Sequence, residues 1–388
     1  MVGPLCFANL LRGAVASFPV SGHAPDEGVD EATPAAACNG KNCLIVWKDN
    51  RLAQQPYHRG QYLLYGRRFD LAGNALDAGS FQIQDEPFIW NNEGLTLPAV
   101  GVLGRDYLVV WLTRFRQIEG RRVRGDGTVK TNRIEIAQTG TASGQPAVAS
   151  TRRGYLVAWT DRVDNNGDIY ATLLDRNGEV THVVPVAADS ANAQYPVAAS
   201  VGQDYLVVWR ELAPSGEDGI KAALVTHAGE VRRLDYFPKS FASWVAVANN
   251  KRNYFITWQT ASSGDTGNQF SGCVMNCRGK IVAEELALAT CGAPSLPAVV
   301  PTGRNFTFLW RENPYEAKAM LYALPVSAQG IAKAPPLPMN CEAGWNGYGT
   351  TTALGQSGAL VVLEQRTPDY YDNGYLSRIS GTVIGMRP

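Results

Sequence analysis

The chain has 388 residues, of which 45% are hydrophobic and 18% are charged, and its formal net charge is zero. This composition is typical of a globular protein, and the balanced charge argues against nucleic-acid binding driven by bulk charge. No apolar run approaches the length of about 18 residues that a membrane-spanning helix needs, so the sequence predicts no membrane span.

The first predicted strand lies near the N-terminus. Residues 14–20 have the sequence AVASFPV, which is similar to the strand that ends a later repeat, HVVPVAADS. We expect residues 14–20 to pair onto the end of the chain and close a ring, within an N-terminal segment 1–33. The alternative is that TVIGMRP, at residues 382–388, completes the last sheet and that residues 14–20 only cover it.

The rest of the chain, residues 34–388, contains a repeat of about 50 residues. In six repeats a tryptophan ends a β-rich phrase such as YLVVW, and Leu363 takes its place in a seventh. The tryptophans are Trp47, Trp111, Trp159, Trp209, Trp258 and Trp310. A glycine keeps the same spacing, at Gly73, Gly127, Gly178, Gly229, Gly279, Gly330 and Gly381. Two markers in one register indicate a single repeating architecture.

Each repeat predicts four short strands. In the third repeat they are QPAVAS, YLVAW, IYATLLD and EVTHVVPVA, separated by the turns TRRG, TDRVDNNGD and RNG. No segment has sustained helical periodicity. We therefore predict an all-β fold, a single seven-bladed β-propeller of four-stranded antiparallel blades in which the repeated tryptophans pack between blades. The predicted blades span residues 34–85, 93–139, 142–188, 191–238, 241–288, 293–338 and 346–388.

The chain resembles the seven-bladed β-propeller superfamily over essentially its whole length. The phrase PAVAS…YLVAW…DIYATLLDRNGEV is similar to repeats of secreted bacterial propeller proteins. This resemblance implies a scaffold and no specific activity, since propellers carry many functions.

The cysteines predict disulfides and hence a secreted protein, extracellular or periplasmic. Two pairs flank or lie near predicted turns, and a third precedes equivalent strands of adjacent repeats; one cysteine, Cys6, is left over. The predicted pairs are Cys38–Cys43, Cys273–Cys277 and Cys291–Cys341. The alternative is that all of them are reduced thiols.

Ligand sites in propellers usually lie at one mouth of the central channel. The loops that follow the repeated tryptophans supply arginines there: Arg51, Arg114, Arg162, Arg210, Arg311 and Arg366. One interpretation is a cationic ring that binds carboxylates or sulfates. The alternative is a ring of structural salt bridges with the nearby acids Asp49, Asp161, Glu211, Glu312 and Glu364.

Aromatic residues are predicted at the same mouth. Tyr195 and Trp244 precede the first strands of adjacent blades, in alignment with Thr33, Leu97, Gln145, Leu296 and Gly349. Trp90, Trp345 and Tyr348 lie in other interblade loops. Aromatic rings beside polar groups bind sugar rings by stacking. The alternative is that these side chains plug the channel or cover its rim.

Residues at the predicted mouth also suit two other functions, β-elimination and Ca²⁺ binding. The enlarged loop after Trp47 contains Tyr57, His58 and Arg59, residue types that suit β-elimination of a uronate, as in the polysaccharide lyases that are propellers. The loop of blade 3 is rich in hard oxygen ligands and is a candidate Ca²⁺ site, although it lacks the EF-hand spacing. Its ligands would be Asp161, Asp164, Asn166 and Asp168.

The sequence thus favours a secreted propeller that binds a polar ligand, an acidic glycan, at the channel mouth. One alternative is a polysaccharide lyase acting on a uronate-containing glycan. Another is a protein-interaction scaffold, with another protein as the partner. Whether the protein is an enzyme stays open, and the expected cofactor is either none or Ca²⁺.

Overall fold

The computed structural model describes the protein as 29 β-strands, with no helix in the described ranges. The described residues are 16–22, 29, 31–51, 61–85, 88–89, 98–163, 166–188, 192–212, 218–234, 242–260, 268–291, 294–312, 320–339, 345–353, 358–369 and 374–385. In this part of the chain nothing resembles a helix that could span a membrane.

The strands group into blades in chain order. The first strand of the chain is β1 (Ala16–Pro19). Blade 1 contains β2 (Glu31–Cys38), β3 (Asn42–Asp49), β4 (Gln61–Asp70), β5 (Phe81–Gln82) and β6 (Phe88–Ile89). Blade 2 contains β7 (Ala99–Leu103), β8 (Asp106–Leu112), β9 (Ile118–Val123) and β10 (Val129–Ala137). Blade 3 contains β11 (Ala142–Ser150), β12 (Gly154–Val163), β13 (Asn166–Asp175) and β14 (Val180–Ala187).

The remaining blades follow the same plan. Blade 4 contains β15 (Ala193–Val201), β16 (Asp204–Leu212), β17 (Asp218–Val225) and β18 (Val231–Leu234). Blade 5 contains β19 (Ala242–Asn249), β20 (Asn253–Thr260), β21 (Asn268–Asn276) and β22 (Ile281–Cys291). Blade 6 contains β23 (Pro294–Thr302), β24 (Asn305–Glu312), β25 (Met320–Val326) and β26 (Leu337–Met339). Blade 7 contains β27 (Trp345–Ala353), β28 (Gly358–Asp369) and β29 (Gly374–Gly385).

Each blade is an antiparallel sheet whose strands pair in sequence order. The first strand of every blade contacts the first strands of both neighbouring blades, so the seven first strands form a closed inner ring around a central channel. The protein is a seven-bladed β-propeller. The prediction from the repeat is confirmed.

The ring is closed by the N-terminal strand, also as predicted. Strand β1 pairs antiparallel with β29, with Phe18 opposite Gly381 and Ser17 opposite Thr382. The Ser17 and Thr382 hydroxyls are 3.1 Å apart, and the amide of Val20 donates to the Ile379 carbonyl at 3.1 Å. The last blade therefore takes its fourth strand from the beginning of the chain, which ties the two ends into one sheet.

The six repeated tryptophans are buried, as predicted, with at most 1% of the side chain exposed. Each packs against the preceding blade; for example, Trp258 of blade 5 lies in a cluster with Ala199 and Leu206 of blade 4. The indole N–H of Trp47 donates to Asp49 at 3.0 Å, and the same bond joins Trp310 to Glu312 at 3.1 Å. Several acids near the mouth are thus partners of the wedge tryptophans.

The repeated glycines occupy the turn between the third and fourth strands in six blades. Gly73, for example, has φ of 91°, a conformation that L side chains avoid. The seventh, Gly381, differs from the other six, because it lies inside β29. It is needed there for a different reason: a Cβ at Gly381 would lie 2.4 Å from the ring of Phe18 on the closing strand.

One of the three predicted disulfides is present, Cys38–Cys43, across the β2–β3 hairpin. The prediction of a Cys273–Cys277 bond is wrong, since both thiols are free. Cys273 lies within β21 and is buried, whereas Cys277 lies in the following turn and is exposed. Four residues of extended chain span about 13 Å, beyond the reach of a disulfide. Cys341 and the side chain of Cys291 lie outside the described residues.

Candidate functional site

The channel has two ends with different architecture. At one end, which we call the mouth, the first strands begin and the loops between second and third strands emerge. At the other end are the turns that join the first strand of each blade to the second. The residues predicted to bind ligand belong to the mouth.

A β-bulge interrupts the start of the first strand in six blades. In blade 4 the register shifts between Gln194 and Val197, and in blade 5 between Ser243 and Ala246. The same shift occurs in blades 1, 6 and 7, and blade 3 has a longer one, between Ser143 and Ala147. A bulge bends the strand and redirects the extra residue away from the ladder. In each of these blades the bulge therefore leaves backbone at the mouth that does not follow the regular alternation of the strand.

In blades 4 and 5 the redirected residue is a large aromatic. Tyr195 and Trp244 have φ values of 54° and 48°, although neither is a glycine. Their side chains are 58% and 55% exposed. Strained backbone of this kind persists only where the surrounding structure enforces it, and it concentrates at ligand sites. The ring of Tyr195 lies beside Gly144 of blade 3, where an added Cβ would be 3.8 Å from it.

The equivalent residues of blades 1 and 3 have structural contacts instead. Thr33 also has positive φ, 52°, but it is buried, and its amide donates to Glu364 of blade 7 at 3.2 Å. Gln145 donates its side-chain amide to the Pro98 carbonyl of blade 2 at 3.0 Å. Among the bulge residues whose side chains the structure describes, the exposed aromatics are therefore those of blades 4 and 5.

The register corrects one alignment of the sequence. In β27 the register shifts between Asn346 and Gly349, so the bulge of blade 7 contains Gly347 and Tyr348, and the predicted Gly349 pairs with Leu363 in the ladder. The side chain of Tyr348 lies outside the described residues, as do those of Trp345 and Leu296. Leu97 and Trp90 are outside them altogether.

Three of the predicted arginines interact with other residues of the protein. Arg51 forms an ion pair with Asp49, donates to Ser80 Oγ at 2.5 Å, and stacks 3.7 Å from the centre of the Tyr65 ring. Arg311 is only 4% exposed, Arg210 is partly buried, and both interact within the protein. For Arg51 the contact with Asp49 is the salt bridge of the structural alternative. The Arg366 side chain lies outside the described residues.

Two arginines remain exposed, in neighbouring blades 2 and 3. Arg114 lies in the turn between β8 and β9, with its guanidinium 4.6 Å from the centre of the Phe115 ring. Arg162 lies near the end of β12, and no ion pair joins its side chain to a carboxylate of the described residues; the neighbouring Asp161 accepts a hydrogen bond from Thr141. Each arginine adjoins an exposed apolar side chain, Phe115 and Val163, at 58% and 55% exposure.

The oxygen-rich loop of blade 3 has contacts that compete with metal binding. Asp161 and Asp168 are opposite each other in the β12–β13 hairpin. Asp161 accepts from Thr141, and Asn166 Oδ1 accepts from the amide of Asn192 at 2.9 Å. Among the described residues there is no group of three or more His, Cys, Asp or Glu that fits a metal ion. Asp164 lies outside them, so the Ca²⁺ site stays a prediction.

Where blades 1 and 7 meet, the mouth end of the seam between them is filled by buried polar side chains. Glu31 and Asp49 are opposite each other at the ends of β2 and β3, and both are buried. Glu31 accepts from the amide of Ile379 of blade 7 at 2.9 Å, and Arg378 donates to the Val29 carbonyl. Burial raises the pKa of Glu31, although hydrogen bonds from Ser21 and Ile379 oppose that shift. This seam holds the ring together. Tyr57 and His58 lie outside the described residues.

The comparisons with known proteins agree with this architecture. No protein-family model matches the chain, and a search of curated proteins finds no match. Solved structures do match. A protein of unknown function from Dyadobacter fermentans is 12% identical, with a TM-score of 0.56 over 98% of this chain and 100% of that one.

Two other solved structures show how widely the fold is used. A neuraminidase-like protein of a flat-faced bat strain is 11% identical, with a TM-score of 0.50 over 97% of this chain and 95% of that one. The acylaminoacyl peptidase of Pyrococcus horikoshii is 11% identical, with a TM-score of 0.52 over 90% of this chain and 50% of that one. At these identities the likeness shows the fold alone.

Sequence reasoning found the aromatic pair and missed two features around it. The exposure of Phe115 and Val163 was not predicted, although both adjoin predicted arginines. The bulge was also missed, because a register shift leaves no residue-type pattern beyond the proline that often follows it, as at Pro34 and Pro196. Among the described residues, the large exposed apolar side chains of the mouth therefore lie on the consecutive blades 2 to 5.

Proposed function

We propose that the mouth of the propeller binds a carbohydrate, with Tyr195 and Trp244 as the stacking surface. The observation that carries this proposal is that adjacent blades expose large aromatic rings at the same bulge position, each on a backbone with positive φ. An exposed aromatic ring loses little entropy when a ligand stacks on it, because its backbone is already fixed. Sugar rings present an apolar C–H face to such a surface.

The charge of the ligand follows from the neighbouring blades. Arg114 and Arg162 are the arginines of the predicted set that are exposed in this part of the mouth, and guanidinium groups bind carboxylates and sulfates bidentately. The ligand class we propose is therefore an acidic glycan whose sugar ring stacks on blades 4 and 5 while its acid groups reach blades 2 and 3. The fold also occurs in a peptidase, so fold alone does not select a ligand.

The first test is a glycan array that includes uronic-acid and sulfated glycans, with and without Ca²⁺. A titration with hexagalacturonate follows, in parallel with its methyl-esterified form as the uncharged match. We expect the acidic form to bind more tightly. The double variant Tyr195→Ala/Trp244→Ala should weaken binding by at least about tenfold, since central aromatic contacts each contribute on the order of 1–2 kcal/mol.

The control is Ile331→Ala, which removes an exposed apolar side chain from a turn at the opposite end of the molecule. It should leave binding unchanged. Equal affinity of wild type and the Tyr195/Trp244 double variant would sink the proposal. A rise in ultraviolet absorbance during the titration would point to lyase chemistry, and His58→Ala would then test that alternative. If no glycan on the array bound, the protein-interaction scaffold would be favoured.

A further inference from the structure

The opposite end of the channel is a cationic surface. Seven basic side chains lie in the turns that join first and second strands, and all are exposed. We call them the cationic rim: Lys41, Arg105, Arg152, Arg153, Lys251, Arg252 and Arg304. They belong to blades 1, 2, 3, 5 and 6, so they surround most of one channel opening. In blade 4 the turn is Gly202-Gln203-Asp204, and the turn of blade 7 lies outside the described residues.

The rim is not neutralised by neighbouring acids. Within the described turns of this ring the acids are Asp106 and Asp204. Asp106 is already paired with Arg122 at 2.9 Å and accepts from the amide of Gly125 at 3.3 Å. No rim side chain forms an ion pair with a carboxylate in the part of the chain that the structure describes. Arg153 contacts His227, at 2.5 Å from Nη1 to Nε2.

The charge is concentrated on the inner ring. The turns between third and fourth strands lie farther from the channel on the same side of the molecule, and they carry both signs. Their bases are Arg124, Arg176, Arg278, Lys280 and Lys333, and their acids are Asp70, Asp77, Asp126, Asp175, Glu179 and Glu230. A flat anionic membrane or a long polymer would meet these outer acids as well. A compact anion centred on the channel axis would meet mainly the rim.

The rim backbone is held rigid by bonds between blades. Asn39 Nδ2 donates to the Arg105 carbonyl at 2.8 Å, and Asn250 Nδ2 donates to the Arg304 carbonyl at 2.5 Å. These bonds use the backbone of the basic residues and leave their charged ends exposed. A ring whose backbone is already fixed loses less entropy on binding a small ligand than flexible loops do.

In blade 5 a basic residue occupies a turn position whose backbone conformation favours glycine. Four rim turns have a glycine with positive φ: Gly40, Gly104, Gly202 and Gly303. In blade 5 that position is Lys251, with φ of 71°. A left-handed lysine is strained, and strained residues persist mostly at functional sites. This is a second, independent sign that the rim binds a ligand.

We infer that the cationic rim binds a compact polyphosphate over the far opening of the channel. Five of the seven rim residues are arginines, whose planar guanidinium groups match phosphate oxygens bidentately. Exposed charges are screened by salt, so binding weakens as ionic strength rises. This site is separate from the mouth and does not depend on the function proposed there.

The test is isothermal titration calorimetry of the intact protein with inorganic tripolyphosphate, and with inorganic phosphate as the single-group comparison. We expect tripolyphosphate to bind at least about tenfold more tightly than phosphate, since each added ion pair at an exposed site contributes modestly. The triple variant Arg105→Gln/Arg252→Gln/Arg304→Gln should weaken tripolyphosphate binding by about tenfold or more.

The matched control is Arg176→Gln/Lys280→Gln/Lys333→Gln, which removes the same charge from the outer turns. It should retain wild-type affinity, and thermal melts of both triple variants should show that they fold. Equal losses in the two triple variants would overturn the inference, as would indistinguishable binding of phosphate and tripolyphosphate. The inference would also be overturned if the protein bound duplex DNA or phosphatidylserine vesicles tightly and did not bind tripolyphosphate. That result would indicate a linear or planar partner.

Discussion

The two ends of the channel are built from the same strands and carry opposite chemistry. At the mouth, blades 2 to 5 expose Phe115, Val163, Tyr195 and Trp244 with only Arg114 and Arg162 as exposed arginines of the predicted set. At the far end the exposed residues are the seven bases of the cationic rim. A protein with zero net charge can therefore present one apolar and one strongly basic surface. The net charge of the whole chain therefore says little about either surface, because the repeat places apolar residues at one end of the channel and basic residues at the other.

Positive φ appears at both ends, which suggests a common logic. The strained side chains are aromatic at the mouth, at Tyr195 and Trp244, and cationic at the rim, at Lys251. At each position other blades have residues with structural contacts, or glycines. The fold repeats a backbone position with positive φ at each end, and individual blades place different side chains there.

The largest expected effect separates the two kinds of tryptophan in blade 5. Trp258→Ala should lower the free energy of unfolding by about 3–5 kcal/mol, because it empties a buried wedge between blades 4 and 5. Trp244→Ala should change it by less than about 0.5 kcal/mol, since its ring is mostly exposed. Urea denaturation measures both. A similar loss in the two variants would mean that Trp244 holds the fold rather than a ligand.

The next effect tests the strain in the rim. Lys251→Gly should raise the free energy of unfolding by about 0.5–1 kcal/mol, because relief of the left-handed penalty outweighs the added freedom of glycine in the unfolded chain. It should also weaken tripolyphosphate binding.

The reciprocal control for that variant is Gly202→Lys in blade 4. A Cβ at Gly202 has nothing within 4 Å, so the substitution tests backbone conformation and charge alone. It should lower stability by about 1 kcal/mol and strengthen tripolyphosphate binding. Opposite signs for either variant would contradict the account of the rim.

A smaller effect concerns the charge preference of the mouth. Arg162→Gln should reduce binding of hexagalacturonate by about threefold and leave its methyl ester unaffected, because an exposed ion pair contributes on the order of 0.5 kcal/mol. The control Arg176→Gln removes an exposed arginine at the other end of the molecule. Equal losses for the acid and the ester would show that Arg162 acts through shape rather than charge.

The smallest effect is a pH dependence at the seam between blades 1 and 7. Because burial raises the pKa of Glu31 above its ordinary 4.5, the folded protein holds this proton more tightly than the unfolded chain. Its contribution to stability is present at acid pH and is lost as pH rises through the folded pKa.

The Glu31→Gln variant isolates that contribution. Its thermal stability relative to wild type should increase as pH rises from about 4 to 7, over the range in which a glutamate of raised pKa titrates. The amide oxygen can still accept from Ile379, so the hydrogen bond is retained. A difference that is constant with pH would contradict the raised pKa.

Much of the fold was predictable because it depends on residues that every blade repeats. The tryptophan wedges and the closing strand around Phe18 follow from such patterns. Gly381 matched the glycine spacing by coincidence, since it is required for contact with Phe18 rather than for a turn. Cys273 and Cys277 were paired by sequence distance alone, and their positions on a strand and in a turn keep them apart.

The site was predictable only in part, because function lies where blades differ. The arginines seemed equivalent since each follows a wedge residue, but Arg210 and Arg311 follow theirs immediately whereas Arg114 and Arg162 lie three residues on. That offset moves the side chain along the strand from a buried position to an exposed one. The cationic rim was missed because its residues were counted in the total charge rather than by end.

The measurement that tests this account most directly is a double titration of one protein sample with hexagalacturonate and tripolyphosphate. We expect the two ligands to bind together, each without displacing the other. We further expect Tyr195→Ala/Trp244→Ala to lose only hexagalacturonate, and Arg105→Gln/Arg252→Gln/Arg304→Gln to lose only tripolyphosphate. Displacement of hexagalacturonate by tripolyphosphate, or loss of both ligands in the rim variant, would contradict the separation of the two ends.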